Sequence, residues 1–241
     1  MTLYDPKSND YLYSCSYFCP GFTPDEAIKS FVDTLMSQYI KNVKELSRKE
    51  LDVCYGPEKV DIWGDGSDNL FIYIHGGFWQ EGCKEGATSI VQPLVENNIQ
   101  VATVGYTLAS KIPLKDTIKQ IEECILFLHN KYPSSKIILS GHSAGAHLAV
   151  KVCEEKNIGK IVDKLVLYSG IYKLNDLVGT YIGNGINLTM EDAIECSINI
   201  DKIKENFKGK MILFAGGFES PKMKQQSNHL AHELNVPYHV C

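Results

Sequence analysis

The sequence contains no apolar run approaching the roughly 20 residues that a membrane-spanning helix needs. It has no basic block either: 24 Lys and Arg are interspersed with 29 Asp and Glu for a formal charge of −5. Neither nucleic acid nor an anionic membrane is therefore an expected partner. The first twenty residues, rich in Tyr, Ser and Asp, lack the basic start and continuous apolar segment of a secretory signal, and a cytoplasmic location is expected. Cys15 and Cys19 form a C-x-x-x-C pair, but no second pair stands at zinc-ligand spacing, so no metal site is expected. The eight cysteines are spread along the chain, and Cys54, Cys124 and Cys153 lie within apolar runs. That pattern fits buried thiols better than a disulfide framework. Internal repeats and low-complexity linkers are also missing, so no boundary divides the chain.

What is present suffices for one large α/β domain over residues 1–241, 44% of them hydrophobic. Residues 1–50 read as an N-terminal segment and helix, and 51–241 as the core. The segment to about Phe22 is tyrosine-rich and reads as irregular. Thr23, Pro24 and Glu26 form a capping box with proline at the first helical position, opening a helix to about Lys49. Residues 51–55 and 60–63 read as an antiparallel edge hairpin through Gly56 and Pro57. Beyond them, apolar runs at 70–74, 100–104, 136–139, 165–168 and 211–214 alternate with helical patterns at 88–95, 114–132 and 144–152. Continuous apolar strands separated by helices predict parallel βαβ units buried on both faces. Residues 236–240 read as the last strand. The stretch 171–207, Gly-rich around Gly183 and Gly185, is longer than a simple crossover and is expected to form a lid or pocket wall.

Gly141, His142, Ser143, Ala144 and Gly145 fall at one of these strand-to-helix turns. That is the setting of a nucleophile elbow, in which the two glycines let strand and helix pass close to a strained serine. Ser143 is the candidate nucleophile. A second signal is His75, Gly76, Gly77, Phe78 and Trp79, directly after the run 70–74. Two glycines leaving a strand present unhindered N–H groups, and an oxyanion hole of this type takes one donor from that loop and one from the residue after the nucleophile. The candidates are Gly76, Gly77 and Ala144. A triad acid and histidine should follow the serine in that order. Glu219, five residues beyond Phe214, lies where the acid belongs, with Asp176 as the alternative. No histidine is as well placed. His142 is expected to point away from the serine, His147 to pack within the elbow helix, His129 to lie on the surface, and His229 and His232 to occupy exposed helix positions. His239, in the last strand, comes nearest to the expected place.

H-G-G-F-W with Gln80, G-H-S-A-G-A-H-L-A from Gly141 to Ala149, and E-S-P from Glu219 to Pro221 closely resemble the kynurenine formamidase (arylformamidase) family, from about Leu51 to the C-terminus. The resemblance implies an α/β-hydrolase fold, with a mostly parallel sheet and helices on both faces. It also implies hydrolysis of N-formyl-L-kynurenine to L-kynurenine and formate in tryptophan breakdown, without metal or organic cofactor. Ser143 carries over as nucleophile and Glu219 as triad acid. The aromatic leaving group calls for a flat apolar wall, for which Phe78, Trp79 and Tyr181 are candidates. Two departures stand out. The family usually has Asp where this chain has Glu219, and its histidine lies in a V-D-H-F-like segment after the last strand, which this sequence, apparently truncated at Cys241, does not reach. Turnover near background is then expected unless His239 serves as base. The alternatives are a general carboxylesterase of small acyl groups and a catalytically inactive chain of the same fold. The expected partner is a small-molecule substrate, and a homodimer is left open.

Overall fold

The computed structural model describes residues 4–65 and 68–241. Its apolar runs assemble one eight-stranded sheet: β1 (Lys49–Cys54), β2 (Lys59–Trp63), β3 (Asn69–Ile74), β4 (Gln100–Val104), β5 (Lys136–His142), β6 (Val162–Tyr168), β7 (Lys210–Ala215) and β8 (Tyr238–Val240). The spatial order is β1-β2-β4-β3-β5-β6-β7-β8. β2 runs antiparallel to both β1 and β4, and the remaining pairs are parallel. The helices are α1 (Asn9–Tyr13), α2 (Pro24–Glu45), α3 (Val91–Glu96), α4 (Leu114–Lys131), α5 (Ala144–Val152), α6 (Lys156–Gly159), α7 (Tyr181–Gly185), α8 (Met190–Cys196), α9 (Ile200–Asn206) and α10 (Pro221–Leu234). Among the described residues, no helix is long and apolar enough to cross a membrane.

Strand order fixes where a ligand can enter. From β3 the chain steps outward to β4 and then returns across β3 to β5, so the sheet's winding reverses between β3 and β5. At such a switch point the connections leave in opposite directions and open a crevice at the carboxyl ends of the strands. The H-G-G loop follows β3 and the G-x-S-x-G turn follows β5, which places both signals on that crevice. One sheet face carries the larger core, with Ile121, Ile125 and Leu128 of α4 and Leu148 and Val152 of α5 packed on Ile72, Leu139 and Leu165. On the other face Tyr39 and Val43 of α2, with Val91 and Leu94 of α3, cover Trp63, Phe71 and Tyr73.

Two segments differ from the sequence expectation. α2 opens on the anticipated Thr23/Glu26 capping box but stops at Glu45, because Lys49 already belongs to β1. The tyrosine-rich segment is not irregular: α1 and a 3-10 turn at Cys15–Phe18 order it through contacts distant in sequence, such as Asp10 Oδ1 accepting from the Tyr181 N–H at 2.7 Å. The stretch 171–207, expected to form a lid or pocket wall, folds into α7, α8 and α9, and its Asn175, Ile194 and Ile198 line a cavity.

Candidate active site

Ser143 is the first residue beyond β5 and the N-cap of α5, with φ 55° and ψ −117°, a conformation that non-glycine residues avoid and that persists only where the surroundings enforce it. The enforcement is visible on three sides. The Ser143 N–H donates to Tyr168 O at 2.8 Å, tying the turn to β6. A Cβ on Gly141 would run into the backbone of Gly145. A Cβ on Gly145 would stand 2.6 Å from His75 O and closer still to Ile74 O. Both glycines are thus dictated by contact, and the helix start is pressed against the end of β3.

The loop after β3 carries three consecutive residues at positive φ: Gly77 at 112°, Phe78 at 50° and Trp79 at 61°. It is held by hydrogen bonds from the Gln80 and Glu81 N–H groups to Gly77 O, at 3.0 and 2.9 Å, and from the Ala109 N–H to Trp79 O at 2.7 Å. Gly76 faces the elbow, since a Cβ there would lie 3.0 Å from His142 Nδ1 and 3.1 Å from Ser143 Cβ. Among the described residues, the N–H groups of Gly77 and Ala144 have no acceptor, the latter as expected for the first residue of a helix. Fixed, unpaired donors beside a hydroxyl at a helix N-terminus can stabilise a developing oxyanion.

Glu219, in the loop between β7 and α10, reaches this crevice. One carboxylate oxygen accepts from the Ser220 N–H at 2.9 Å, and the Cys15 thiol of the N-terminal segment, which donates to Tyr13 O at 3.7 Å, lies close enough to feel the Glu219 charge. Burial, and then the Glu219 charge, push that thiol well above its ordinary range. His142 does not point away from the site. Its ring lies between Gly76 and Phe31 of α2, whose ring centroid is 6.3 Å distant. Burial holds the His142 imidazole below its ordinary pKa, while the Glu219 charge acts in the opposite direction.

The remaining candidates separate clearly. Trp79 is not a pocket wall: it is fully buried and its Nε1–H donates to His147 Nδ1 at 3.2 Å, because the left-handed backbone turns the indole into the core. That bond leaves the His147 proton on Nε2, which donates to Cys196 O at 2.8 Å, and burial lowers the ring's pKa to about 4. Phe78 and Tyr181 do meet, edge to face at 6.5 Å, and Tyr181 stacks on Tyr4 at 5.4 Å while sharing a 2.9 Å hydrogen bond with Ser14. Tyr4 and Ser14 of the N-terminal segment thus pack on Tyr181 beside Phe78. Asp176 pairs with Lys222 at 2.8 Å and lines a cavity of about 1000 Å³ with Tyr13, Ile198 and Gln226; Ser143 and Gly76 lie outside it. His239 is aligned with Phe214, Phe214 with Tyr168, and Tyr168 with His142. Three strand spacings, roughly 14 Å, thus separate His239 from His142. Its ring stacks on Phe214 instead, so it cannot reach Ser143.

A family model described as BD-FAE matches residues 60–193. The kynurenine formamidase of Danio rerio is 31% identical over 197 residues, covering 77% of this chain and 67% of the relative. The chain belongs to the kynurenine formamidase family of α/β-hydrolases. The kynurenine formamidase of Salmo salar agrees at 29% identity over 89% of this chain and 78% of its own length. Among solved structures, one from Silicibacter sp. TM1040 described as a thioesterase superposes with a TM-score of 0.86 at 20% identity, covering 95% of this chain and 88% of that one. The Pyrobaculum calidifontis esterase gives 0.66 at 16%, over 88% and 85%. At such identities the two structures show the fold alone.

Proposed function

We propose that this formamidase-family chain hydrolyses an N-formyl arylamine, N-formyl-L-kynurenine, through an ester on Ser143. The observation that carries the reading is the enforced left-handed conformation of Ser143, pressed against Gly76 of the H-G-G loop. Ser143 Oγ attacks the formyl carbon, and the N–H groups of Gly77 and Ala144 receive the negative charge on its oxygen. A histidine imidazole takes the Oγ proton in that attack and gives it to the departing arylamine nitrogen as the C–N bond breaks, and water then hydrolyses the formyl ester to release formate. Glu219 supplies the negative charge that favours imidazolium. β8 delivers the chain to this point, since Cys241 O accepts from the Gly217 N–H at 2.6 Å, two residues from Glu219. Phe78, Tyr181 and Tyr4 supply aromatic surface for a flat leaving group.

Release of kynurenine, followed by its absorbance, tests the reading against p-nitrophenyl acetate hydrolysis. A higher kcat/KM for the formamide, abolished in Ser143→Ala, is the expected result. The reverse preference favours a general carboxylesterase of small acyl groups, and kynurenine release that survives Ser143→Ala removes Ser143 from the mechanism.

A further inference from the structure

Of the three left-handed residues after β3, Gly77, Phe78 and Trp79, only Trp79 is buried in the core. Two successive non-glycine residues stay at positive φ only where their surroundings hold them there. The indole supplies the hold. It meets the His147 ring edge to face at 5.1 Å and 86°, and its Nε1–H donates to His147 Nδ1 at 3.2 Å. An indole N–H can only donate and a carbonyl can only accept, so the imidazole proton sits on Nε2, facing Cys196 O at 2.8 Å. Trp79 and His147 are both fully buried, which leaves neither ring another partner in water.

The far end of this chain of bonds is fixed in turn. Lys151, one turn beyond His147 on α5, donates from Nζ to Glu195 O at 2.8 Å and to Ser197 O at 2.9 Å. Three consecutive carbonyls at the end of α8 thus accept from one face of α5. Glu154 Oε2, 3.0 Å from the same Nζ, balances the buried charge. At the near end, the His147 N–H donates to Ser143 O at 3.2 Å. One residue therefore meets the elbow through its backbone and the H-G-G loop through its ring.

We propose that His147 is the positioning residue of the oxyanion hole, fixing through the Trp79 indole where the Gly77 N–H points; the proposal rests on the Ser143 reading above. Two donors stabilise an oxyanion only if they converge on one oxygen. Ala144 rides on the first turn of α5, and His147, three residues on, ties the loop bearing Gly77 to the same helix. Loop and helix then keep a common frame. The stretch 171–207 also gains a role, since α8 backs the imidazole and sets its tautomer.

The rate at which a fluorophosphonate probe labels the full chain tests the proposal. In that reaction the Oγ–P bond forms as fluoride leaves, the Oγ proton passes to the base, and the phosphoryl oxygen takes up charge where the carbonyl oxygen would. His147→Asn places Oδ1 where Nδ1 stood and keeps the Trp79 bond. His147→Gln places an amide nitrogen where Nε2 stood and keeps only the Cys196 bond, and His147→Leu keeps neither. Each amide variant loses one buried hydrogen bond, so the two should melt alike and a difference in their labelling is not a loss of fold. His147→Asn should label close to the wild-type rate. His147→Gln and His147→Leu should label on the order of 100-fold more slowly, the consequence of a displacement of about 1 Å at Gly77. Trp79→Phe should match His147→Leu, and combining those two substitutions should slow labelling no further, because both act through one bond. Equal rates for the two amide variants, multiplied losses in the combination, or an unreactive wild type each overturn the assignment. Labelling that persists in Ser143→Ala would instead remove the serine reading on which it rests.

Discussion

Gly145→Ala should destabilise the protein and silence the site together. On helix propensity alone the change would gain about 1 kcal/mol, since Gly145 lies within α5. The structure reverses that sign. The added Cβ would meet His75 O at 2.6 Å and Ile74 O closer still, and both are backbone atoms that cannot rotate aside. Relief requires α5 to move away from β3 by roughly 1 Å, and overpacking of this kind costs about 1–3 kcal/mol. At the upper value the melting temperature falls by roughly 6–12 °C for a chain of this size. The same movement carries the Ala144 N–H away from the H-G-G loop, and a misplacement of about 1 Å is worth roughly 100-fold in rate. Calorimetry and the fluorophosphonate labelling rate read the two effects separately. Gly86→Ala, whose Cβ would meet only Leu35 Cδ1 at 3.8 Å, is the control and should melt like wild type. An unchanged or raised melting temperature for Gly145→Ala, with wild-type labelling, would refute the claim that contact between α5 and β3 sets the elbow.

Ser143→Gly should raise the melting temperature while abolishing labelling. It removes about 1–3 kcal/mol of backbone strain at φ 55° against an entropic cost of about 0.5–1 kcal/mol, and Ser143 makes no side-chain cap bond to lose; a lower melting temperature would contradict the strain argument. Trp79→Phe should cost about 1–3 kcal/mol in urea unfolding by leaving His147 Nδ1 without its donor, with KM unchanged. A raised KM at unchanged stability would return Trp79 to the substrate wall. Burial lowers the pKa of both His75 and His147 to about 4. Because their folded-state values lie below the ordinary ~6.5, the stability they carry is complete above pH ~6.5 and drains away as pH falls toward 4, on the order of 3 kcal/mol each. Urea midpoints that stay constant from pH 7.5 to 4.5 would contradict this.

The elbow is legible in the sequence because each glycine answers a contact: Gly141 and Gly145 meet each other, and Gly145 meets Ile74. The strand pattern is legible for a related reason, since parallel strands buried on both faces must read as continuous apolar runs. Trp79 is not legible as a core residue, because composition does not reveal that three successive left-handed residues turn its indole inward. His142 escapes for a similar reason. Strand alternation sends it away from the serine, but at the last residue of β5 its ring lies beside Gly76 at the crevice. The order of the N-terminal segment depends on partners more than 150 residues away, such as Tyr181 for Ser14 and Asp10, which no local pattern can show.

Ser143 is the side chain that we propose the fold holds ready to react. Peptide mapping by mass spectrometry after fluorophosphonate treatment of the native chain tests it most directly. A single adduct on Ser143, absent when the chain is unfolded in urea before treatment, is the predicted result. An adduct on any other residue, or equal labelling of the unfolded chain, would contradict it.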